Sequence, residues 1–273
     1  MVEWSLSPVA RLSVRGLELE YACHGPAPDQ APTIVMLHEG LGCVALWRDF
    51  PARVAEATGM GVIAFSRAGY GQSDPAALPR PLDFITQEAV EVLPEVLDQI
   101  GFQRGILLGH SDGASIAAAH AGSIADMRVR GLILMAPHYF TEPHGLAAIA
   151  EAKVAFESGE LRARMAKYHA DPDNAFYGWN EVWLREGFRE WDITEVIDYF
   201  RVPTLAIQGR DDAYGTLKQI EVIEERSYAP VDLLVLEGCG HAPHQEKPEE
   251  VLSAIAEFAE RLMRIEAAEV ETR

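Results

Sequence analysis

The sequence contains little of several features that would mark a specialised class of protein. Its 273 residues include only three cysteines (Cys23, Cys43 and Cys239), and none of them forms a Cys-x-x-Cys pair. Neither a disulfide framework nor a cysteine-ligated zinc site is therefore expected. No apolar run reaches the roughly 18 residues that a membrane-spanning helix needs, so a membrane partner is not expected either.

Basic residues are also scarce. The chain has 23 Lys and Arg against 42 Asp and Glu, which gives a formal net charge of −19. Such a charge repels nucleic acid and anionic membrane surfaces, so neither is expected as a partner. The N-terminal stretch Met1–Ser5 lacks the basic start and apolar run of a secretory signal. This absence predicts a cytoplasmic protein.

What the sequence does contain is an alternation of short apolar runs and helical stretches. Continuous apolar runs indicate strands of a sheet that is covered on both faces, and the intervening helices indicate parallel order. Ligands of such sheets bind at the carboxyl ends of the strands, so functional residues are expected directly after each run. The predicted strands are Arg11–Val14, Leu17–Ala22, Thr33–His38, Gly61–Ser66, Gly105–Gly109, Gly131–Met135, Thr204–Gln208 and Leu233–Leu236.

One segment interrupts this alternation. Residues 138–200 contain no good strand candidate but many aromatic side chains. We predict that they form a helical cap inserted into a core made of residues 1–137 and 201–273. Most of the cap aromatics are expected to pack on one another as a small core. At the start of the cap, His138 and Tyr139 are candidates for contact with a substrate.

A short motif flanked by glycines carries the candidate nucleophile. The stretch Gly109–Gly113 reads Gly-His-Ser-Asp-Gly and lies between a predicted strand and a predicted helix. This context is typical of a nucleophile elbow, in which the serine occupies a strained turn. Such a turn needs small residues two positions before and after the serine, and both positions are glycine. Ser111 is therefore the expected nucleophile.

A serine hydroxyl is a weak nucleophile at neutral pH and needs a base that is oriented by an acid. With this order of strand and helix, the acid and then the histidine are expected to follow the serine along the chain. His241 follows the last strand and is the expected base, with His244 as the alternative. Asp211 and Asp212 both follow the preceding strand. On position alone, either of them can be the acid.

Together these motifs resemble the α/β-hydrolase superfamily over nearly the whole chain, from about residue 9 to residue 265. The loop Ser66–Asp74 is similar to the family's Arg-Gly-x-Gly-x-Ser loop, with Ala68 in place of a glycine. His241 followed by Glu246-x-Pro248 is also typical. The resemblance implies an α/β-hydrolase fold: a mostly parallel eight-stranded sheet flanked by helices, with a helical cap.

The resemblance also implies roles for particular residues. The family's acid commonly stands three residues after a glycine, which favours Asp212. An oxyanion hole is expected from the backbone N–H of Asp112 and from the loop after the Thr33–His38 strand. The family usually has His-Gly-x there, with x as the donor, so Gly40 takes the donor position and Glu39 replaces the glycine.

Glu39 is the unusual residue of this set, and two interpretations stay open. Its side chain can turn away from the oxyanion hole and meet a basic residue such as Arg48 or Arg67. Alternatively, it binds a polar or cationic group of the substrate or helps to position water. For the Asp112 side chain, we expect a favourable interaction with the positive end of the following helix rather than a catalytic role.

The function that these residues predict is hydrolysis of a carboxylic ester or lactone of a small, apolar or aromatic substrate through an acyl-enzyme on Ser111. A C–C bond hydrolase or a thioesterase with the same triad is the alternative, and a noncatalytic binding protein of this fold is a third possibility. Neither a cofactor nor a metal is expected. The expected partner is a small-molecule substrate, and the sequence leaves a homodimer open.

Overall fold

The computed structural model describes Trp4 and residues 10–271, with side chains up to residue 265. Residues 1–3 and 5–9 lie outside this part, and the prediction about a secretory signal falls largely on them. Among the described helices, none combines the length and the apolar character needed to cross a membrane.

The core of the protein is a single sheet of eight strands, in the order β1-β2-β4-β3-β5-β6-β7-β8. Strands β3 to β8 run parallel, while β2 is antiparallel to both β1 and β4. The prediction of a mostly parallel eight-stranded sheet is confirmed. The strands are β1 (Ala10–Val14), β2 (Leu17–His24), β3 (Thr33–Leu37), β4 (Gly61–Phe65), β5 (Gly105–His110), β6 (Val129–Met135), β7 (Thr204–Gly209) and β8 (Val231–Leu236).

Helices cover both faces of this sheet. Every residue of β3 is buried because alternate side chains enter two separate cores. Ile34 and Met36 pack on the side of α1 and α10, while Val35 and Leu37 pack on the side of α3 and α4. The helices are α1 (Phe50–Thr58), α2 (Phe84–Gln87), α3 (Leu93–Gln99), α4 (Asp112–Ser123), α5 (Pro143–Glu157), α6 (Glu160–Met165), α7 (Pro172–Leu184), α8 (Lys218–Arg226), α9 (Pro243–Glu246) and α10 (Pro248–Glu271).

The sequence pattern also predicts helices over Trp47–Thr58 and Leu82–Ile100, and both are less regular than that prediction. The helix expected over Trp47–Thr58 is preceded by a separate 3₁₀ turn, because Arg48 has a positive φ of 54° that no helix can contain. The helix expected over Leu82–Ile100 contains a π-helical turn at Glu88–Val92. Pro94 is the second residue after this turn. Its missing N–H and bulky ring prevent a regular bond to the carbonyl four residues earlier, which the wider turn accommodates.

The segment between β6 and β7 folds into the three helices α5, α6 and α7, followed by two 3₁₀ turns. Its aromatic side chains pack mainly on one another: the rings of Phe156 and Phe176 stack at 3.9 Å, and those of Phe188 and Trp191 at 5.1 Å. The last turn, Thr194–Tyr199, packs against α4 instead of joining this cluster. The C-terminal end of the predicted cap is therefore seated on the core.

Candidate active site

The turn between β5 and α4 holds Ser111 in an unusual backbone conformation, with φ 53° and ψ −121°. Such a conformation is strained for a residue with a side chain and is common at functional sites. Neighbouring backbone leaves no room for a side chain two positions before or two positions after this serine. A Cβ on Gly109 would lie 2.3 Å from the carbonyl oxygen of Gly113, and one on Gly113 would lie 2.1 Å from that of Leu37. The two glycines are therefore required by the tight approach of strand, turn and helix.

The expected nucleophile, acid and base lie together at the carboxyl ends of β5, β7 and β8. The Nε2 atom of His241 lies 2.9 Å from Ser111 Oγ, and its Nδ1 atom lies 2.8 Å from Asp212 Oδ2. Asp212 also accepts hydrogen bonds from the side chain of Gln208 at 2.8 Å and from the N–H of Tyr214 at 2.7 Å. The arrangement is an unbroken hydrogen-bonded chain from carboxylate to hydroxyl.

The electrostatics of Asp212 suit this position. Burial raises the pKa of its carboxyl, but the hydrogen bond and charge of His241 and the N–H of Tyr214 outweigh burial, so the pKa lies below its ordinary value. The carboxylate therefore stays ionised and favours the His241 tautomer whose Nδ1 carries the proton. The Nε2 atom is then free to accept the proton of Ser111.

The two residues weighed against Asp212 and His241 lie outside this hydrogen-bonded chain. The side chain of Asp211 is exposed, and among the described residues its hydrogen bonding is confined to the backbone N–H, which donates to the carbonyl of Cys239. His244 is buried against the rings of Trp47 and Phe50, and burial together with the charge of His110 lowers its pKa to about 3. His244 therefore packs behind the site, and it is His241 that contacts Ser111.

The candidate oxyanion donors, Gly40 and Asp112, both line the cavity that opens at Ser111. The first N–H groups of a helix have no partner within it, which leaves the Asp112 N–H at the start of α4 available to a ligand. At Gly40, a Cβ would lie 2.2 Å from Nε1 of Trp179. Glycine at position 40 thus allows cap helix α7 to touch the loop after β3.

The Glu39 side chain meets neither of the basic residues expected from the sequence. Arg67 donates instead to the backbone carbonyls of His38 and Glu39, so it holds the loop rather than the carboxylate. The Glu39 carboxylate rests over Gly42, where a Cβ would lie 2.2 Å from Oε2. Its partner is His110, whose Nδ1 lies 3.5 Å from Oε2, an ion-pair distance that is longer than a hydrogen bond.

His110 is the site residue that the sequence reasoning missed. Its Nε2 atom lies 2.6 Å from the backbone carbonyl of His241, so it joins the loop after β3 to the loop that carries the candidate base. Burial lowers the pKa of His110, but Glu39 and the His241 carbonyl outweigh burial, and the pKa lies above its ordinary value. Burial likewise raises the pKa of Glu39, but His110 outweighs it, and the net pKa is far below the usual range. The pair is therefore ionised wherever the pH lies between the lowered pKa of Glu39 and the raised pKa of His110.

Replacing Glu39 by glutamine is expected to destabilise the protein most between about pH 5 and pH 6.5. Because the folded pKa of His110 is raised, its contribution to stability is present below about 6.5 and is lost as the pH rises through the folded value. The depressed pKa of Glu39 sets the lower end of this pH range, because the contribution of the Glu39 carboxylate to stability is lost only at acidic pH. Urea unfolding of wild type and Glu39→Gln at pH 6 and pH 9 measures the difference, at about 1.4 kcal/mol for each unit of His110 shift.

Equal destabilisation at both pH values would contradict an ionised pair. The same variant also separates the two sequence-based interpretations of Glu39. An unchanged kcat/KM of Glu39→Gln on an ester substrate would show that the carboxylate does not act on the substrate.

A cavity of about 570 Å³, counted with its mouth, opens above Ser111. Cap helices supply most of its apolar wall, through Leu146 and Ile149 of α5 and Trp179 and Trp183 of α7. The two tryptophans lie four residues apart, so they share one face of their helix. This spacing was the sequence signal that could have separated them from the aromatics that form the cap's own core.

The two cap residues predicted to contact a substrate differ in position. His138 lines the cavity, and burial together with the nearby His241 lowers its pKa to about 4, which leaves it neutral. Tyr139 does not line the cavity. It is fully buried, and its N–H donates to the side chain of Gln219 at 2.8 Å. The structure therefore gives Tyr139 a packing position beneath the cap rather than a contact with the substrate space.

Comparison with known proteins agrees with this geometry. A model of the alpha/beta hydrolase family matches residues 34–254. A proline iminopeptidase of Lactobacillus delbrueckii subsp. lactis is 27% identical over 84% of this chain and 91% of its own length. The enol-lactonase of Burkholderia xenovorans LB400 superposes with a TM-score of 0.71 at 18% identity, covering 91% of this chain and 99% of that one.

A thermophilic esterase from Thermogutta terrifontis superposes with a TM-score of 0.70 at 18% identity over 93% of this chain and 98% of that one. The chain belongs to the α/β-hydrolase family. It is an enzyme of the hydrolase class, and the fold and family predicted from the sequence motifs are confirmed.

Proposed function

We propose that this hydrolase cleaves a carboxylic ester or lactone of a small, apolar or aromatic substrate through an acyl-enzyme on Ser111. The observation that carries the proposal is the hydrogen-bonded chain from Asp212 through His241 to Ser111, with distances of 2.8 and 2.9 Å. The chain ends at a cavity whose wall is largely aromatic and aliphatic. Such a cavity suits an apolar group attached to the scissile carbonyl.

In this mechanism, His241 takes the proton of Ser111 as its oxygen attacks the carbonyl carbon. The backbone N–H groups of Gly40 and Asp112 bind the oxyanion that develops, and each such donor contributes roughly 3 kcal/mol in comparable enzymes. His241 then returns the proton to the leaving alcohol. A water molecule, activated by the same imidazole, releases the acid from the acyl-enzyme.

Thioester and C–C bond cleavage use the same triad and stay as alternatives. The cytoplasmic location likewise stays a prediction, as does the absence of a macromolecular partner.

A fluorophosphonate probe is expected to label Ser111 stoichiometrically and to abolish ester turnover, because only an activated serine attacks such a probe rapidly. Peptide mapping by mass spectrometry identifies the labelled residue.

A panel of methyl esters, lactones, thioesters and vinylogous diketones of matched size then ranks the substrate classes by kcat/KM. If the serine is labelled but thioesters or diketones exceed the esters and lactones, the ester assignment is wrong. If no label is incorporated and no substrate turns over, a binding protein is indicated.

A further inference from the structure

Asp112 lines the cavity above Ser111, and its side chain is a buried carboxyl group. Only 1% of the residue is exposed, and its Oδ2 atom has no hydrogen-bond partner among the described residues. The indole N–H of Trp183 faces this carboxylate but lies outside hydrogen-bond geometry. A buried carboxylate without a partner is costly, so a ligand that supplies one is expected to bind there tightly.

The nearest cations do not fill this role, because their hydrogen bonds go elsewhere. Arg67 donates to the carbonyls of the loop after β3, and Arg80 pairs with Glu88 and donates to the carbonyl of Ala68. Within the described part of the chain, neither arginine forms an ion pair with Asp112. Burial raises the pKa of Asp112 more than these two charges and Trp183 lower it, as expected for an incompletely compensated carboxylate.

The other carboxylates of the cavity are already engaged. Glu39 faces His110, and Glu142 accepts hydrogen bonds from Thr216 and Gln219. No lysine or arginine is among the described residues that line the cavity. The rings of Trp179, Trp183 and Tyr214 do line it, and aromatic faces attract cations. One free carboxylate among aromatic rings is a suitable environment for a protonated amine.

We propose that Asp112 binds a protonated amine of the substrate, close to the scissile carbonyl. Asp112 directly follows Ser111, so its side chain is close to a group attached beside the scissile carbonyl, and a turn of the side chain toward the cavity would bring its buried Oδ2 atom to that group. The natural substrate is then an ester or lactone of an amino-substituted, apolar or aromatic acid. This inference rests on the proposed ester hydrolysis and names its substrate class.

Three esters of the same shape test this assignment: the methyl esters of phenylalanine, of 3-phenyllactate and of 2-methyl-3-phenylpropionate. They place an ammonium, a hydroxyl or a methyl group at the same carbon. At pH 7 we expect wild type to favour the ammonium ester over the methyl-substituted ester by about 30-fold or more in kcat/KM, which is about 2 kcal/mol. Asp112→Asn keeps the shape and the backbone N–H but is expected to reduce this ratio at least ten-fold.

Glu142→Gln is the matched control, because it neutralises a cavity carboxylate that already has partners. Its ratio of kcat/KM for the ammonium ester to kcat/KM for the methyl-substituted ester is expected to stay within about two-fold of wild type. The proposal is overturned if wild type treats the ammonium and hydroxyl esters alike, or if Glu39→Gln loses the preference and Asp112→Asn keeps it. Turnover of the neutral ester without an amine preference would overturn the amine site alone, leaving ester hydrolysis in place.

Binding of 2-phenylethylamine gives a readout that does not depend on turnover. We expect this amine to raise the Tm of wild type and of Glu142→Gln, but not that of Asp112→Asn or of a second variant, Asp112→Ser, which covers the case in which the first does not fold. An equal rise in wild type and a folded Asp112 variant, or no rise in wild type, would overturn the assignment.

Discussion

Replacing Ser111 by alanine is expected to lower kcat for ester hydrolysis by about 10⁴- to 10⁶-fold, the range seen when the nucleophile of a serine triad is removed. The loss is large because His241 and Asp212 act only through the serine oxygen. The backbone strain at position 111 is retained by alanine, so the fold is expected to stay intact. Initial rates with a chromogenic ester measure the loss, and circular dichroism checks the fold.

Ser115→Ala is the matched control for this experiment. Ser115 lies one turn further along α4, and its hydroxyl donates to the carbonyl of His138 at 2.6 Å instead of facing His241. We expect its kcat to stay within about ten-fold of wild type. If Ser111→Ala retained more than a few per cent of activity, or if both variants lost activity equally, Ser111 would not be the nucleophile.

Asp212→Asn is expected to lower kcat by about 10⁴-fold with little change in KM, because an amide in place of the carboxylate favours the wrong tautomer of His241 and no longer stabilises its imidazolium. Asp211→Asn changes the adjacent residue in the same chemical way. Its side chain is exposed, so we expect activity within about two-fold of wild type. Steady-state kinetics on one ester with both variants separates the two aspartates.

A small effect of Asp212→Asn together with a large effect of Asp211→Asn would mean that the hydrogen bond between Asp212 and His241 does not operate during catalysis. Equal losses in both variants would instead indicate a general disturbance of the loop after β7.

The sheet and the nucleophile turn could be predicted because their physical requirements are local. A strand buried on both faces is made almost entirely of apolar residues, as β3 is, and a turn as tight as that at Ser111 requires glycine two positions before and two positions after the serine. Both requirements concern residues that lie close together in the sequence, so the sequence alone shows whether they are met. The order of strands along the chain then placed His241 and the two aspartates at one edge of the sheet.

The contacts that the sequence did not reveal join residues far apart in the chain. The pairing of Glu39 with His110 depends on β3 and β5 being neighbours and on Gly42 leaving room for the carboxylate. Asp211 and Asp212 differ in the direction of their side chains. Because they are neighbours of the same residue type, their positions in the sequence do not show which side chain faces His241. Tyr139 was misplaced for the same reason, since an aromatic at the start of the cap can face either the cavity or the core.

The segment between β6 and β7 touches the core near the candidate catalytic residues at two separate points. Trp179 presses on Gly40 in the loop after β3, and Val196 lies so close to Gly122 of α4 that a Cβ there would be 2.2 Å from its carbonyl oxygen. A bulky substrate that pushes α7 outward would therefore separate Trp179 from Gly40 and leave the loop after β3 less firmly held, while the turn at Val196 stays packed on α4. Such a substrate is expected to bind and yet react slowly, so size selection in this enzyme should be visible in turnover number more than in affinity.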